Sequence, residues 1–277
     1  MARRFDGQVV WITGGGSGIG RSLALGFARE GAIVAVSGRR RDKLDEVVEA
    51  ITAAGGRGLA VTCDVVDEDD VRRAADEVAR TLGKLDVVVA NAGFAVMGRI
   101  EDLTATDWRR QLETNVVGLA STVRFALPHL RRTRGRIALV SSVSGVLATP
   151  AGGAYSASKF AVRAIGLTLQ SELAGSGVSC TTILPGFVES EIGQVDNQGR
   201  HDPSRKDKRP AKLMWTSEKA ARVIVDAIHA RKREFVFTGH GKVGAFVGQH
   251  FPLVVPRLLA LTGLGAPKER KELPREG

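Results

Sequence analysis

Seven short apolar runs recur along the 277-residue chain, at Val9–Thr13, Ile33–Ser37, Gly58–Cys63, Val87–Ala90, Arg136–Val140, Ser179–Leu184 and Glu234–Thr238. Continuous runs of this length, rather than alternating ones, suit the strands of a parallel sheet, whose two faces are both covered by helices. Segments of helical length lie between them: Arg21–Glu30, Arg41–Ala54, Glu68–Leu82, Trp108–His129, Ala154–Ala174 and Ser217–Ala230. In the second of these, Leu44, Val47, Val48 and Ile51 share one face at helical spacing. Strand and helix alternate without a break, which predicts right-handed βαβ units and a single doubly wound parallel sheet of the α/β class. One domain is expected over residues 1–264.

Two stretches depart from this alternation. Residues 191–213 are polar and charged and follow a strand. A loop of that length inside a domain suits a lid, here expected over 191–215. Residues Val243–Leu264 are mainly apolar but are interrupted by His250, Pro252, Pro256 and Arg257. A membrane span needs about 20 largely uninterrupted apolar residues, so this stretch suits a flap over a site, a subunit contact or an interfacial anchor. Residues 265–277 are expected to form a frayed tail.

Composition narrows the classes. With 43% hydrophobic and 25% charged residues the chain is of the soluble globular kind. The two cysteines, Cys63 and Cys180, sit far apart in apolar runs, which excludes a disulfide framework and suits a reducing compartment. The amino-terminal apolar stretch runs straight into glycines, unlike a signal peptide, so a cytoplasmic location is expected. The net charge of +10 is concentrated late, with 17 basic against 10 acidic side chains in residues 191–277. That excess fits a solvated face, an anionic membrane surface or a phosphorylated ligand. Aromatic residues are only 5%, without the aromatic–basic interleaving of single-strand binders, so nucleic acid is not expected.

The first strand ends in Thr13-Gly14-Gly15-Gly16-Ser17-Gly18-Ile19-Gly20 and passes directly into a helix. Glycines there let a pyrophosphate approach the backbone, and the helix N-terminus offers N–H groups and a favourable dipole. The usable spacing is Gly14, Gly18 and Gly20, not a literal G-x-G-x-x-G. After the second strand the chain reads Gly38-Arg39-Arg40-Arg41, with no acid before Asp42. An acid there would bond a ribose 2′-OH, whereas guanidinium groups accommodate a 2′-phosphate, so NADP(H) is favoured over NAD(H).

Tyr155 is the only tyrosine, and Lys159 stands four residues later on the same expected helix face. A nearby ammonium would pull the phenol pKa down from about 10 towards a range useful for proton transfer. Ser142 closes the fifth strand, where hydroxyls face the ligand crevice of such sheets. The five histidines (His129, His201, His229, His240 and His250) lack metal-ligand spacing and read as structural, so no metal is expected.

At this point the sequence resembles the short-chain dehydrogenase/reductase family over roughly residues 5–240. The resemblance rests on TGGGSGIG at 13–20, CDV at 63–65, NAG at 91–93, Asn115, the Ser142/Tyr155/Lys159 set and PG at 185–186. It implies a Rossmann-like, NADP(H)-binding catalytic domain in which Tyr155 moves the proton at the substrate oxygen and Ser142 hydrogen-bonds that oxygen. Lys159 would lower the Tyr155 pKa and hold the nicotinamide ribose, and Asn115 would hold a water. By the same resemblance Gly14, Gly16, Ser17, Gly18, Ile19 and Gly20 line the cofactor at the turn, and Thr13 ties that turn to neighbouring backbone, beside Arg39 and Arg40 at the 2′-phosphate. Asp64 and Val65 lie by the adenine, and Asn91, Ala92 and Gly93 lie beside the cofactor. Pro185, Gly186, Val188 and Ser190 flank the nicotinamide, with serine where the family often has threonine.

Apolar residues in the loops beyond the strand ends are expected to choose the substrate: Phe94, Val96, Met97, Val143, Leu147, Phe187, Ile192, Met214 and Trp215. They favour a hydrophobic ketone or secondary alcohol, and the extended C-terminal region loosely resembles members acting on steroid- or sphinganine-like substrates. A 3-oxoacyl-thioester reductase and a catalytically silent NADP(H)-binding regulator are the alternatives. A homodimer or homotetramer is expected, and the basic, apolar C-terminal region suits peripheral contact with a membrane surface.

Overall fold

A computed structural model describes residues 3–207, 209–254 and 257. The seven strands are β1 (Val9–Thr13), β2 (Ile33–Gly38), β3 (Arg57–Thr62), β4 (Val87–Ala90), β5 (Arg136–Val140), β6 (Ser179–Leu184) and β7 (Glu234–Val236). They form one sheet in the order β3-β2-β1-β4-β5-β6-β7, and every pairing is parallel. The chain runs outward from β1 in one direction, then returns to place β4 on its other side. That reversal opens a crevice beyond the carboxyl ends of β1 and β4.

Successive strand residues face opposite sides, so each strand feeds two cores. Val10, Ile12, Val34 and Val36 pack under α1 (Gly18–Arg29), α2 (Arg41–Ala53) and α7 (Ser217–His229), through Leu23, Phe27, Leu44, Ile51 and Ile224. Val9, Trp11 and Ala35 point the other way. They meet α3 (Glu68–Leu82), α5 (Gly118–Thr133) and α6 (Gly153–Glu172), through Val71, Val78, Leu130 and Val162. Burying both faces explains why the strands read as unbroken apolar runs. One polar group in this core is satisfied locally: the buried Trp11 indole N–H donates to Ser37 Oγ at 3.0 Å.

The expected helix Trp108–His129 proves to be three segments: α4 (Ala105–Leu112), a π-helical turn (Glu113–Val117) and α5. Thr104 and Asp107 form a reciprocal capping box that starts α4 three residues before Trp108. The π turn holds Asn115, which is 1% exposed and grips the backbone of Phe94. That side-chain bonding accommodates the extra residue in the helical turn. Helix α1 also starts earlier than expected, at Gly18 rather than Arg21, because the glycine turn itself becomes the first helical turn.

The C-terminal apolar stretch contributes α8 (Gly239–His250), which packs Ala245 on Val146 and Leu184 while leaving Val243, Phe246 and Phe251 exposed. Residues 255–256 and 258–264, and the expected tail at 265–277, lie outside the described residues. Among the described residues no helix is long and apolar enough to cross a membrane.

Candidate active site

The turn after β1 is built by close packing. Gly14 takes φ +64°, and a Cβ there would lie 2.8 Å from Ala92 Cα. At Gly20 a Cβ would collide with the Gly14 carbonyl, so only glycine lets helix and turn close on each other. Thr13 Oγ1 accepts the N–H groups of Asn91 (3.1 Å) and Ala92 (3.2 Å), while Asn91 Nδ2 donates to the carbonyls of Thr13 (2.9 Å) and Gly14 (3.1 Å). The glycine turn and the loop after β4 are thereby one unit at the crevice. Ser17 stands in the N-cap position of α1 without capping it, and the first turn of α1 carries no acid. An uncapped, glycine-lined helix N-terminus of this kind has the donors and dipole that a pyrophosphate needs.

A second group assembles around β5 and α6. Lys159 is 5% exposed, and its Nζ donates to Val140 O at 2.9 Å while lying 5.7 Å from the centre of the Tyr155 ring. Ser142 Oγ accepts Ser144 N–H at 3.0 Å and stands close enough to the Tyr155 phenol to pull on its pKa. Asn115 Nδ2 donates to Phe94 O (3.0 Å) and Ser158 Oγ (3.1 Å). Gly93 closes the ring, since a Cβ there would lie 2.9 Å from Asn115 Oδ1 and 3.7 Å from Lys159 Nζ. Ser142, Tyr155, Lys159 and Asn115 come from the turn after β5, α6 and the π turn, and all converge beside the glycine turn.

The electrostatics of this group differ from expectation. Burial pushes the Tyr155 phenol above its usual pKa, against the opposing pull of the Ser142 hydrogen bond and the Arg209 charge. Lys159 does not lower it here, because its ammonium is spent on the Val140 carbonyl rather than the phenol oxygen. Burial brings Lys159 itself down to about 8.

The chain belongs to the short chain dehydrogenase family, whose model matches residues 8–201. The chain is 37% identical over 227 residues to 11-beta-hydroxysteroid dehydrogenase A of Sesamum indicum, covering 79% of this chain and 65% of that protein. It is 36% identical over 189 residues to meso-2,3-butanediol dehydrogenase of Serratia marcescens, covering 68% and 74% respectively. The matches to the plant steroid dehydrogenases span between 54% and 65% of those proteins' own length. Among solved structures it resembles a short chain dehydrogenase/reductase from Burkholderia phymatum in complex with NAD (TM-score 0.76, 26% identity, 98% and 99% of the two chains). It also resembles an alcohol dehydrogenase from the archaeon Thermococcus sibiricus complexed with 5-hydroxy-NADP (TM-score 0.74, 27% identity, 83% and 96%).

The remaining predicted residues of the chain fall into three sets. Asp64 and Val65 follow β3. Asp64 Oδ1 accepts the Val66 N–H, and Val65 packs so closely on α5 that a Cβ at Gly118 would lie 2.6 Å from its carbonyl. Pro185, Gly186 and Val188 follow β6, and the Pro185 carbonyl accepts from Val143 N–H and, at 3.4 Å, the Ser142 hydroxyl. Arg39 and Arg40 lie exposed at the end of β2, with Arg40 Nη2 2.6 Å from Glu191 Oε2.

Several loop residues expected to meet substrate instead pack the scaffold. Val96 is fully buried in a small cluster with Phe94 and Ala154, Val143 packs on Val146 and Leu184, and Trp215 lies against Phe237 at 5.5 Å between ring centres. Their loops fold back onto the sheet, where burial gains more than exposure to a cleft. Met97 remains 50% exposed.

Three side chains went unrecognised in the sequence. Arg209, from the lid, donates to Val188 O (2.8 Å) and Ser190 O (3.1 Å) while paired with Asp207. Glu191 is held by Arg40. Burial works against its charge, but Arg40, His201 and the Ser17 hydroxyl keep its pKa below the usual carboxylate range. His240, read as structural, accepts the Phe187 N–H at Nε2 (3.0 Å) and stacks on that ring, so it shapes the loop that follows Pro185-Gly186. Only the basic excess of the lid hinted at the first, and no local pattern marks the other two.

Proposed function

We propose that this dehydrogenase is an NADP(H)-dependent oxidoreductase that interconverts a hydrophobic ketone and its secondary alcohol. The reading is carried by the convergence of Ser142, Tyr155 and Lys159 on the crevice beside the glycine turn. Gly14, Gly16, Ser17, Gly18, Ile19 and Gly20 would hold the pyrophosphate. Arg39 and Arg40, with no acid at the end of β2, would hold a 2′-phosphate. When bound, the nicotinamide supplies the hydride that the carbonyl carbon takes up.

The chain's own residues handle the oxygen. The Tyr155 phenol is protonated at neutral pH and would deliver its proton to the substrate oxygen, although burial makes it a weaker acid than a free phenol. Ser142 donates a hydrogen bond to that oxygen as charge grows on it. Lys159, 5.7 Å from the centre of the Tyr155 ring, would hold the nicotinamide ribose, while Asn115 keeps the Phe94 loop in place around it. Exposed Met97 and the apolar lid residues Ile192 and Met214 favour a hydrophobic substrate. Exposed Phe160 and Leu167, one face of α6, suit contact with a second copy in a homodimer or homotetramer.

The test is turnover of a panel of ketones with NADPH and NADH, beside cofactor titrations. Tyr155→Phe is expected to abolish turnover and leave NADPH affinity intact. Arg39→Asp is expected to weaken NADPH far more than NADH. Full activity in Tyr155→Phe would refute the catalytic assignment, and equal loss of both cofactors in Arg39→Asp would refute the 2′-phosphate assignment.

A further inference from the structure

The groups best suited to a cofactor phosphate already hold an anion, and it comes from the lid. Glu191 opens the lid immediately after Ser190. Its carboxylate lies 2.6 Å from Arg40 Nη2 and 3.9 Å from His201 Nε2, and the nearby Ser17 hydroxyl helps to hold its pKa down. Ser17 is the uncapped N-cap residue of α1, and α1 has no acid of its own in its first turn. The lid backbone leans on the same turn, since a Cβ at Gly18 would lie 3.0 Å from Ser190 Cβ. Further along, Gly199 O accepts from Arg39 at 3.4 Å, so both arginines at the end of β2 are engaged by the lid. At the far end Arg209 ties the lid to Val188 and Ser190. These contacts cross the crevice from β2 and α1 to the segment after β6, and Arg40 lies 151 positions from Glu191.

We infer that Glu191 is an internal competitor for the cofactor phosphate and thereby a determinant of cofactor choice. This rests on the NADP(H) reading above. A phosphate approaching the Arg40 fork meets a carboxylate already bound there, and the two anions repel. NADP(H) binding must therefore displace Glu191, moving the start of the lid with it. A cofactor with a free ribose 2′-OH carries no such charge, and a carboxylate is a ready acceptor for that hydroxyl. Glu191 opposes NADP(H) and tolerates NAD(H), which narrows the preference that Arg39 and Arg40 create.

Calorimetric titration with 2′,5′-ADP and 5′-AMP tests this at the phosphate end alone, since neither probe carries a nicotinamide. In Glu191→Gln, 2′,5′-ADP is expected to bind roughly two- to fivefold tighter, the worth of a half-exposed ion pair. Affinity for 5′-AMP should hold or fall, and the gain should shrink at high salt. Glu191→Ala should behave alike, which separates charge from the shape of the amide. Unchanged 2′,5′-ADP affinity in both variants, or a loss as large as in Arg40→Gln, would overturn the inference. In the latter case Glu191 would serve to position Arg40. In these titrations the cofactor reading fails separately, if the wild-type protein and both Glu191 variants all bind 5′-AMP at least as tightly as 2′,5′-ADP.

Discussion

Replacing Lys159 by methionine should make the protein more stable at neutral pH. The side chain is 5% exposed, and burial alone brings its pKa from 10.5 to about 8. At 1.36 kcal/mol per unit, holding that ammonium protonated in the folded protein costs about 3 kcal/mol. The variant also loses the hydrogen bond to Val140 O, and a carbonyl left unpaired costs about 1 kcal/mol. The net expectation at pH 7 is a gain of about 2 kcal/mol, or a rise in melting temperature of roughly 4–8 °C for a domain of this size. The pH dependence carries its own signature. Below pH 8 lysine is protonated in both the folded and unfolded states, so the cost is constant. Between pH 8 and about 10.4 the unfolded chain binds more protons than the folded one, so wild-type stability rises through that window while the variant lacks the rise. By the upper end the wild type should be the more stable by about 1 kcal/mol, because the penalty has gone and the hydrogen bond remains. Urea unfolding of both proteins at half-unit steps from pH 7 to 10.5 measures the difference directly. A flat difference across the window, or a variant less stable at pH 7, would refute the argument that burial strains this ammonium. Turnover should be lost in the same variant, so the charge would be kept at a cost to stability for what it does in the site.

Other expectations follow from single contacts. Gly20→Ala drives a methyl into the Gly14 carbonyl, and overpacking of this kind should cost about 1–3 kcal/mol and weaken cofactor affinity in titration. Ser37→Ala leaves the buried Trp11 indole without an acceptor and should cost about 1–3 kcal/mol in urea unfolding, with catalysis little changed. His240 is held neutral by burial, its pKa below 6.5, while accepting the Phe187 N–H. Its contribution is therefore present above pH 6.5 and is lost as pH falls through the lower folded value. In melting curves from pH 7.5 to 5, His240→Phe should lack that acid-side loss, and a wild-type-like pH profile in the variant would count against the role.

Much of this architecture was legible because the physical causes are local. A parallel sheet covered on both faces must write its strands as apolar runs, and Val9–Thr13, Val87–Ala90, Arg136–Val140 and Ser179–Leu184 match the observed strands end to end. Helices were readable where a cap or a periodic face announced them, as at Glu68–Leu82 with Asp67 capping its N-terminus. The π turn at Glu113–Val117 was not, because its extra residue is accommodated by Asn115 bonding to Phe94, a contact made only once β4 and α4 have packed. Val96 and Trp215 were misjudged for a related reason. An apolar residue in a loop is the same letter whether it lines a cleft or folds back onto the sheet.

The chemistry divides along the same line. The glycine turn, the Tyr155–Lys159 spacing and the arginines after β2 are encoded within a few residues each, since backbone reach and helix periodicity suffice to place them. The charge state of those groups is not encoded that way. Whether the ammonium meets the phenol or the Val140 carbonyl, and whether the phenol pKa rises or falls, depends on desolvation by elements brought in from across the chain. The same holds for the carboxylate at Arg40 and the guanidinium beside Tyr155, which arrive from a lid 151 and 54 positions away along the chain. Local spacing is enough to set which residues can react. Only packing decides how strongly their charges are felt, because Coulomb interactions and burial depend on distance in space rather than along the sequence.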